Sequence, residues 1–334
     1  MLRTLGCSLL VMFTAADVAI ARPQASDFYP DALPDPFVGD YTGAWLEGEE
    51  VDIVLAAQVI NLGRDEYLVR LQAKLDMRAT PKAIATGKAK GGKLEFEGDN
   101  HFGTIEDGVI TGGRTPGEAH FRLEKVVRES PTLGAVPPPG AVVLFDGSSL
   151  DAWQDPIGWE IVDGDILMVT PSGEDLISNQ NYTDCKLHVE FRTSWMPKSS
   201  GQGRSNSGVF VQNDYEVQIL DSYGLESYYD DCGAIYKVAA PMVNASRPPL
   251  QWQTYDIEFR AARFDANGNV IENPRMTVYQ NGTLIHNNQE LWWITGWKDE
   301  DRAKPHPQDP GPIKLQCHSN YVQFRNIWLV DLTK

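Results

Sequence analysis

From Phe37 onward the chain repeats one pattern: short runs in which apolar and polar residues alternate, cut by Gly, Asn, Asp and Pro. A period of two is the signature of strands with one face in a core, and no helical stripe longer than two turns interrupts it. The clearest run is Tyr215-Glu216-Val217-Gln218-Ile219-Leu220-Asp221. Tyr215, Val217 and Ile219 fall on one face, and Glu216 and Gln218 on the other, roughly 6–7 Å apart along the strand. A carboxylate beside an amide can grasp a hydroxyl-rich ligand or move a proton on one. The plain alternative is a half-buried strand with a wet outer face.

Between residues 37 and 128 the strand-like runs are Tyr41–Leu46, Asp52–Asn61, Glu66–Lys74, Lys93–Glu97 and Ala119–Val127, separated by turn signals such as Gly91-Gly92 and Gly112-Gly113. They predict a small β-sandwich or partly closed barrel with no visible chemistry. Residues 129–140, with Pro131 and Pro137-Pro138-Pro139, read as an extended linker. Residues 141–334 hold eight of the nine tryptophans and continue as short strands. Asp163-Gly164-Asp165 and Asn281-Gly282 mark hairpins, and the whole segment predicts a two-sheet jelly-roll, making the chain all-β. Residues 295–312, with Trp297, a charge cluster and four prolines, break the alternation and read as a rim or lid over a site, or as a solvated loop.

The 334 residues are 42% hydrophobic and 22% charged, a globular composition, and the net charge of −17 excludes a phosphate-tracking nucleic-acid binder. A small neutral carbohydrate or a cation suits this field better. Oligomeric state is not legible. Arg3, the apolar run Leu5 to Ala16 and Ala19-Ile20-Ala21 predict an export signal over residues 1–21, followed by a loop at 22–36. The protein is therefore expected outside the cytoplasm, periplasmic or extracellular, with no membrane insertion, the apolar run being too short to span. Past that signal stand Cys185, Cys232 and Cys317, whose spacing matches no zinc pattern. They read as buried thiols, with one disulfide among them as the alternative.

Two further strands share the alternation. In Lys186–Arg192 the polar face carries His188, Glu190 and Arg192, and in Ile313–His318 it carries Lys314, Gln316 and His318. Asn206-Ser207-Gly208 opens a third apolar run. If these strands share one sheet, its polar face gathers Glu190, Arg192, Glu216, Gln218, Gln316 and His318. No cofactor is required by this reading. A divalent cation on Glu190, Glu216 and His318 is the one that the residue types allow. A non-catalytic carbohydrate-binding module and an adhesive surface protein are the competing classes; a binder has no need of two carboxylates beside a histidine and an arginine.

An ordered set of short motifs sharpens the choice: Leu144-Phe145-Asp146-Gly147 with Leu150 and Trp153, then Trp159, Gly164-Asp165, Asn206-Ser207-Gly208-Val209, Tyr215 to Asp221, Gly233-Ala234-Ile235-Tyr236, Asn244-Ala245, Trp252-Gln253-Thr254-Tyr255, Asn281-Gly282, Leu315-Gln316, His318 and Phe324-Arg325-Asn326-Ile327. Residues 141–333 thereby resemble the 3-keto-disaccharide hydrolase domain family, also described as 3-keto-glucoside 1,2-lyase/hydratase. The resemblance implies a concanavalin-like, laminin-G-like jelly-roll in an exported bacterial protein, and a glycoside substrate already oxidised at C3. A ketone there acidifies the C2 proton. Its removal lets the enolate expel the C1 substituent, and water can then add. This chemistry needs a base, an oxyanion stabiliser and a proton donor. Glu216, or Glu190, is the expected base; His318 the proton donor; Arg192 the oxyanion partner. Gln218, Gln316, Asn206 and Tyr236 are expected to bind hydroxyls, and Trp252 or Trp297 to stack on a sugar ring.

Overall fold

The computed structural model describes residues 35–47, 52–63, 65–75 and 81–333. The expected export signal and most of the loop after it lie outside the described residues. Eight antiparallel strands come first: Gly39–Trp45 (β1), Val54–Gly63 (β2), Glu66–Gln72 (β3), Ala83–Lys90 (β4), Lys93–Gly98 (β5), His101–Glu106 (β6), Val109–Gly113 (β7) and Phe121–Val126 (β8). Tyr41 of β1 faces both Ala57 of β2 and Lys125 of β8, so the ladder closes into a barrel. Full closure removes the edges that an open sheet of this size would expose. β4, β6 and β7 escape the alternation rule because small residues hold many of their inward positions, with Ile105 of β6 and Ile110 of β7 as the large exceptions. Ala83, Ala85 and Gly87 line β4, and a Cβ on Gly103 of β6 would meet the Phe96 ring at 2.5 Å. The bulk of this narrow interior comes from Tyr41, Phe96 and Phe121, and glycine opposite them makes room.

The second unit comprises Val142–Phe145 (β9), Trp153–Gln154 (β10), Trp159–Val162 (β11), Ile166–Val169 (β12), Leu176–Tyr182 (β13), Cys185–Thr193 (β14), Ser207–Val211 (β15), Tyr215–Ile219 (β16), Gln253–Arg260 (β17), Arg263–Phe264 (β18), Val270–Glu272 (β19), Arg275–Gln280 (β20), Thr283–Glu290 (β21), Gly311–Leu315 (β22) and Val322–Asp331 (β23). One sheet runs β10-β13-β22-β15-β16. The larger runs β11-β12-β23-β14-β17-β20-β21, with β9 also on β23. Both predicted hairpins form, pairing Val162 with Ile166 and Gln280 with Thr283. The two sheets bury one apolar core between them, to which Tyr215, Val217 and Ile219 contribute from one side and Leu187, Val189 and Phe191 from the other. This is the expected jelly-roll sandwich. Among the described residues helix is confined to one α-helical turn, Asp299–Arg302 (α1), and a 3-10 turn at Gly201–Gly203. Cys185, Cys232 and Cys317 are free thiols, the first two buried. No helix among the described residues is long and apolar enough to cross a membrane.

The barrel docks on the sandwich through buried polar bonds. Asp40 of β1 accepts from the Tyr223 hydroxyl at 2.7 Å and pairs with Arg128 at 2.6 Å. Arg70 donates to the Gly224 carbonyl at 2.7 Å, and Tyr223 packs into the barrel core.

One expectation about placement is overturned. The Lys186–Arg192 strand is β14, in the larger sheet, whereas Glu216 is on β16 in the smaller one. Alternation points Glu190 and Glu216 away from the shared core in both strands, onto opposite outer faces of the sandwich.

Candidate active site

The hairpin β15–β16 forms the site floor. Its register sets Gly208 opposite Gln218 and Phe210 opposite Glu216. The missing side chain at Gly208 leaves space for the Glu216 carboxyl, since a Cβ there would lie 2.3 Å from its Oε1. Glu216 and Gln218 are not on a wet face, being 4% and 1% exposed. Segment 233–236 covers them: the Tyr236 amide donates to the Glu216 carbonyl and the Gln218 amide to the Ala234 carbonyl. Thr295 closes the side, its hydroxyl accepting from the Glu216 amide at 3.0 Å.

A cavity of about 430 Å³ remains above the floor, lined by Gln202, Asn206, Phe210, Glu216, Gln218, Tyr236, Thr295, Gly296, Trp297, Gln316 and His318. The structure thus brings together Glu216, Gln218, Gln316, Asn206, Tyr236, Trp297 and His318 from the sequence-predicted set. The segment after β21 supplies the rim, as its break in alternation suggested. Lys237 steadies this rim, its ammonium lying 4.4 Å from the Tyr229 ring, 5.2 Å from Trp297 and 5.5 Å from Tyr236, and pairing with Asp230 at 2.6 Å.

Burial pushes the Glu216 carboxyl up to about 8, with the Lys314 ammonium offsetting part of the effect. Burial, with the nearby Glu216 charge adding to it, likewise pushes the Tyr236 hydroxyl up to about 12, so it stays protonated and able to donate. Three buried amide oxygens on the cavity residues, Asn206 Oδ1, Gln218 Oε1 and Gln316 Oε1, have no hydrogen-bond partner. Buried acceptors in a folded protein are nearly always satisfied, so three unpaired ones among the residues of one cavity set it apart.

Glu190, Arg192 and Trp252 are not brought to this cavity. Glu190 is fully buried beneath the 129–140 linker, accepting from the Gly134 amide at 2.5 Å, Arg325 at 2.7 Å and Asn326 at 2.9 Å. Burial alone would raise its pKa, but the hydrogen bonds from His188, Asn326, Arg325 and Gly134 outweigh it and hold the carboxyl near 2. Arg192 donates to Gln323 and lies 4.9 Å from the Trp252 ring, on which Arg325 also stacks at 4.1 Å. These groups fasten the linker and the outer face of the larger sheet. The expected cation set of Glu190, Glu216 and His318 is therefore not assembled, and among the described residues no other group of three acidic, histidine or cysteine side chains is placed to hold a metal. Sequence reasoning missed Gln202, Phe210 and Thr295. Gln202 lies in the 3-10 turn, where there is no periodicity to follow; its spacing of four from Asn206 is the one signal it leaves.

The fold and cavity are those of a carbohydrate-active enzyme class built on an all-β scaffold. Residues 140–330 match the 3-keto-alpha-glucoside-1,2-lyase-like domain, and the chain belongs to that family. A candidate glycosyl hydrolase of known structure from Parabacteroides distasonis is 35% identical, with 58% of this chain and 84% of that one covered and a TM-score of 0.53. Another from the same organism is 23% identical, with 57% and 99% covered and a TM-score of 0.40. A search of curated proteins finds no match.

Proposed function

We propose that the protein is an exported enzyme that cleaves glycosides already oxidised to a ketone at C3. The observation carrying this reading is the buried Glu216 carboxyl, with its pKa raised to about 8, in a cavity whose other polar groups suit a sugar. A carboxylate of that basicity is well matched to a proton made acidic by a neighbouring ketone. Glu216 takes the C2 proton, and the electron pair moves into an enolate whose O3 charge meets the Tyr236 hydroxyl. The pair then returns to restore the C3 carbonyl, C1=C2 forms, and the C1–O bond breaks. The leaving oxygen keeps that bond's electrons and takes a proton from His318. Water adding at C1 of the enone completes a net hydrolysis, while release before hydration makes the reaction a lyase. Trp297 at the rim offers a face for the leaving group.

A buried carboxyl of this basicity favours the reading over a binding module, which has no need of a base. The test is incubation with 3-keto-glucosides and with the matching unoxidised glycosides. Aglycone release from the keto forms alone is the expected result. Sugar binding without turnover of either form would make the protein a lectin-like module, and cleavage of the unoxidised glycosides would put it in an ordinary glycosidase class.

A further inference from the structure

The geometry points to Gln202 as the residue that sets the polarity of the sugar cavity, turning the Asn206 and Gln218 amides so that both present only acceptor oxygens to the ligand. Its own orientation is fixed from outside the cavity. Gln202 Nε2 donates to the Asp230 carbonyl at 2.7 Å, and a backbone carbonyl can only accept. Its Oε1 must then face the cavity side, where Asn206 Nδ2 and Gln218 Nε2 both donate to it at 3.0 Å. Asn206 Nδ2 also donates to the Gln202 carbonyl at 2.9 Å. With their NH2 groups committed, Asn206 Oδ1 and Gln218 Oε1 are left without partners, on two cavity residues each 1% exposed. Amide orientation is thus assigned by the network.

The consequence is a rule about the ligand, and it rests on the proposed sugar reading. An acceptor-only wall takes hydroxyl groups that donate. A ligand carbonyl placed there sets oxygen against oxygen and leaves two buried acceptors unpaired, a penalty equivalent to roughly tenfold or more in affinity. The unoxidised, hydroxyl-bearing edge of a 3-keto sugar therefore lies against Asn206 and Gln218. The ketone is turned toward the donor side of the cavity, where Tyr236 stands. Gln202 is a positioning residue in this scheme, acting through the two amides.

The test is a binding titration with 1,5-anhydro-3-keto-glucitol, which keeps the ring hydroxyls and lacks a leaving group at C1, and with its 4- and 6-deoxy and 4- and 6-deoxyfluoro analogues. C–F is close in size to C–OH and cannot donate. The wild type is expected to lose about tenfold or more at one or both positions, with fluoro and deoxy analogues equally weak there. In Gln202→Ala the Gln218 amide is free to turn, while Asn206 Nδ2 stays on the backbone carbonyl of residue 202, so discrimination should shrink to less than about threefold at the hydroxyl that Gln218 meets and persist at one that Asn206 meets. Gln202→Glu keeps an acceptor for both amides; at acidic pH, where its protonated oxygen can donate to the Asp230 carbonyl in place of Nε2, it should retain the discrimination, even with weaker overall binding. Melting temperatures check that the variants fold. Fluoro analogues binding the wild type as well as the parent, or Gln202→Ala weakening every probe by one common factor, would overturn the assignment while leaving the sugar reading intact. A wild type that binds none of the probes would overturn the sugar reading and this assignment with it.

Discussion

Glu216→Gln is expected to lower kcat/KM on a 3-keto-glucoside by about 10³-fold while raising the melting temperature above pH 8. The first effect follows from the role of general base, whose removal costs typically 10²–10⁴-fold. The second follows from burial. The carboxyl titrates near 8 in the fold against an ordinary value of 4.5 in an unfolded chain. Between those two values the folded protein keeps a proton that the unfolded chain gives up. The contribution to stability is therefore complete below about pH 4.5 and drains away as pH rises through 8, at about 1.4 kcal/mol per pH unit, amounting to a few kcal/mol. Glutamine does not titrate and escapes that loss. Melting curves at pH 6 and pH 9 for both proteins check the sign, since the difference between them should widen at the higher pH. The same titration predicts that wild-type kcat/KM climbs as pH rises through about 8, where the base form fills. Full turnover by the variant, or a rate that peaks below pH 6, would remove Glu216 from the chemistry.

Glu190→Ala should do the opposite: destabilise strongly and leave the chemistry alone. The carboxylate is fully buried and holds Arg325, Asn326 and the Gly134 amide, with His188 at 3.6 Å. Removing one member of such a cluster strands the others without compensation, at a cost of about 3–5 kcal/mol. For a unit of this size that corresponds to a fall in melting temperature of roughly 10 °C. The 129–140 linker, which Glu190 fastens through Gly134, should become the first site of proteolysis. Because this carboxyl sits near 2 in the fold, its stabilising effect is present above the ordinary value of 4.5 and fades as pH falls toward 2. Activity measured well below the melting point should stay within a few-fold of wild type; a hundredfold loss in a folded variant would return Glu190 to the catalytic set.

The contrast between these two glutamates shows how far the sequence could be read. Period-two alternation tells which residues of a strand share a face, and Glu190 and Glu216 each fall opposite the apolar residues as expected. It carries nothing about which sheet a strand joins, because that is decided by pairings far apart in sequence, such as β14 with β23 and β15 with β22. Both strands offered a carboxylate beside other polar groups, and only the ordered family motifs favoured the one at 216. The sandwich was legible because its core strands bear large apolar residues. Three barrel strands were not, because a narrow closed barrel fills its interior from a few aromatic rings and answers them with alanine and glycine. Gln202 was hidden for a related reason: its importance lies in hydrogen bonds with Asn206 four residues on, with Gln218 of β16 and with the Asp230 carbonyl, and only the first of these is local.

Gly208 carries a consequence for reading relatives of this protein. The space it leaves is filled by the acid itself, so the two positions are bound together across the hairpin. A chain of the same fold with alanine or a larger residue there must swing the end of the glutamate out of this pose, even if the glutamate is still spelled out. One small residue, checked against its neighbour, thereby reports how the acid is aimed.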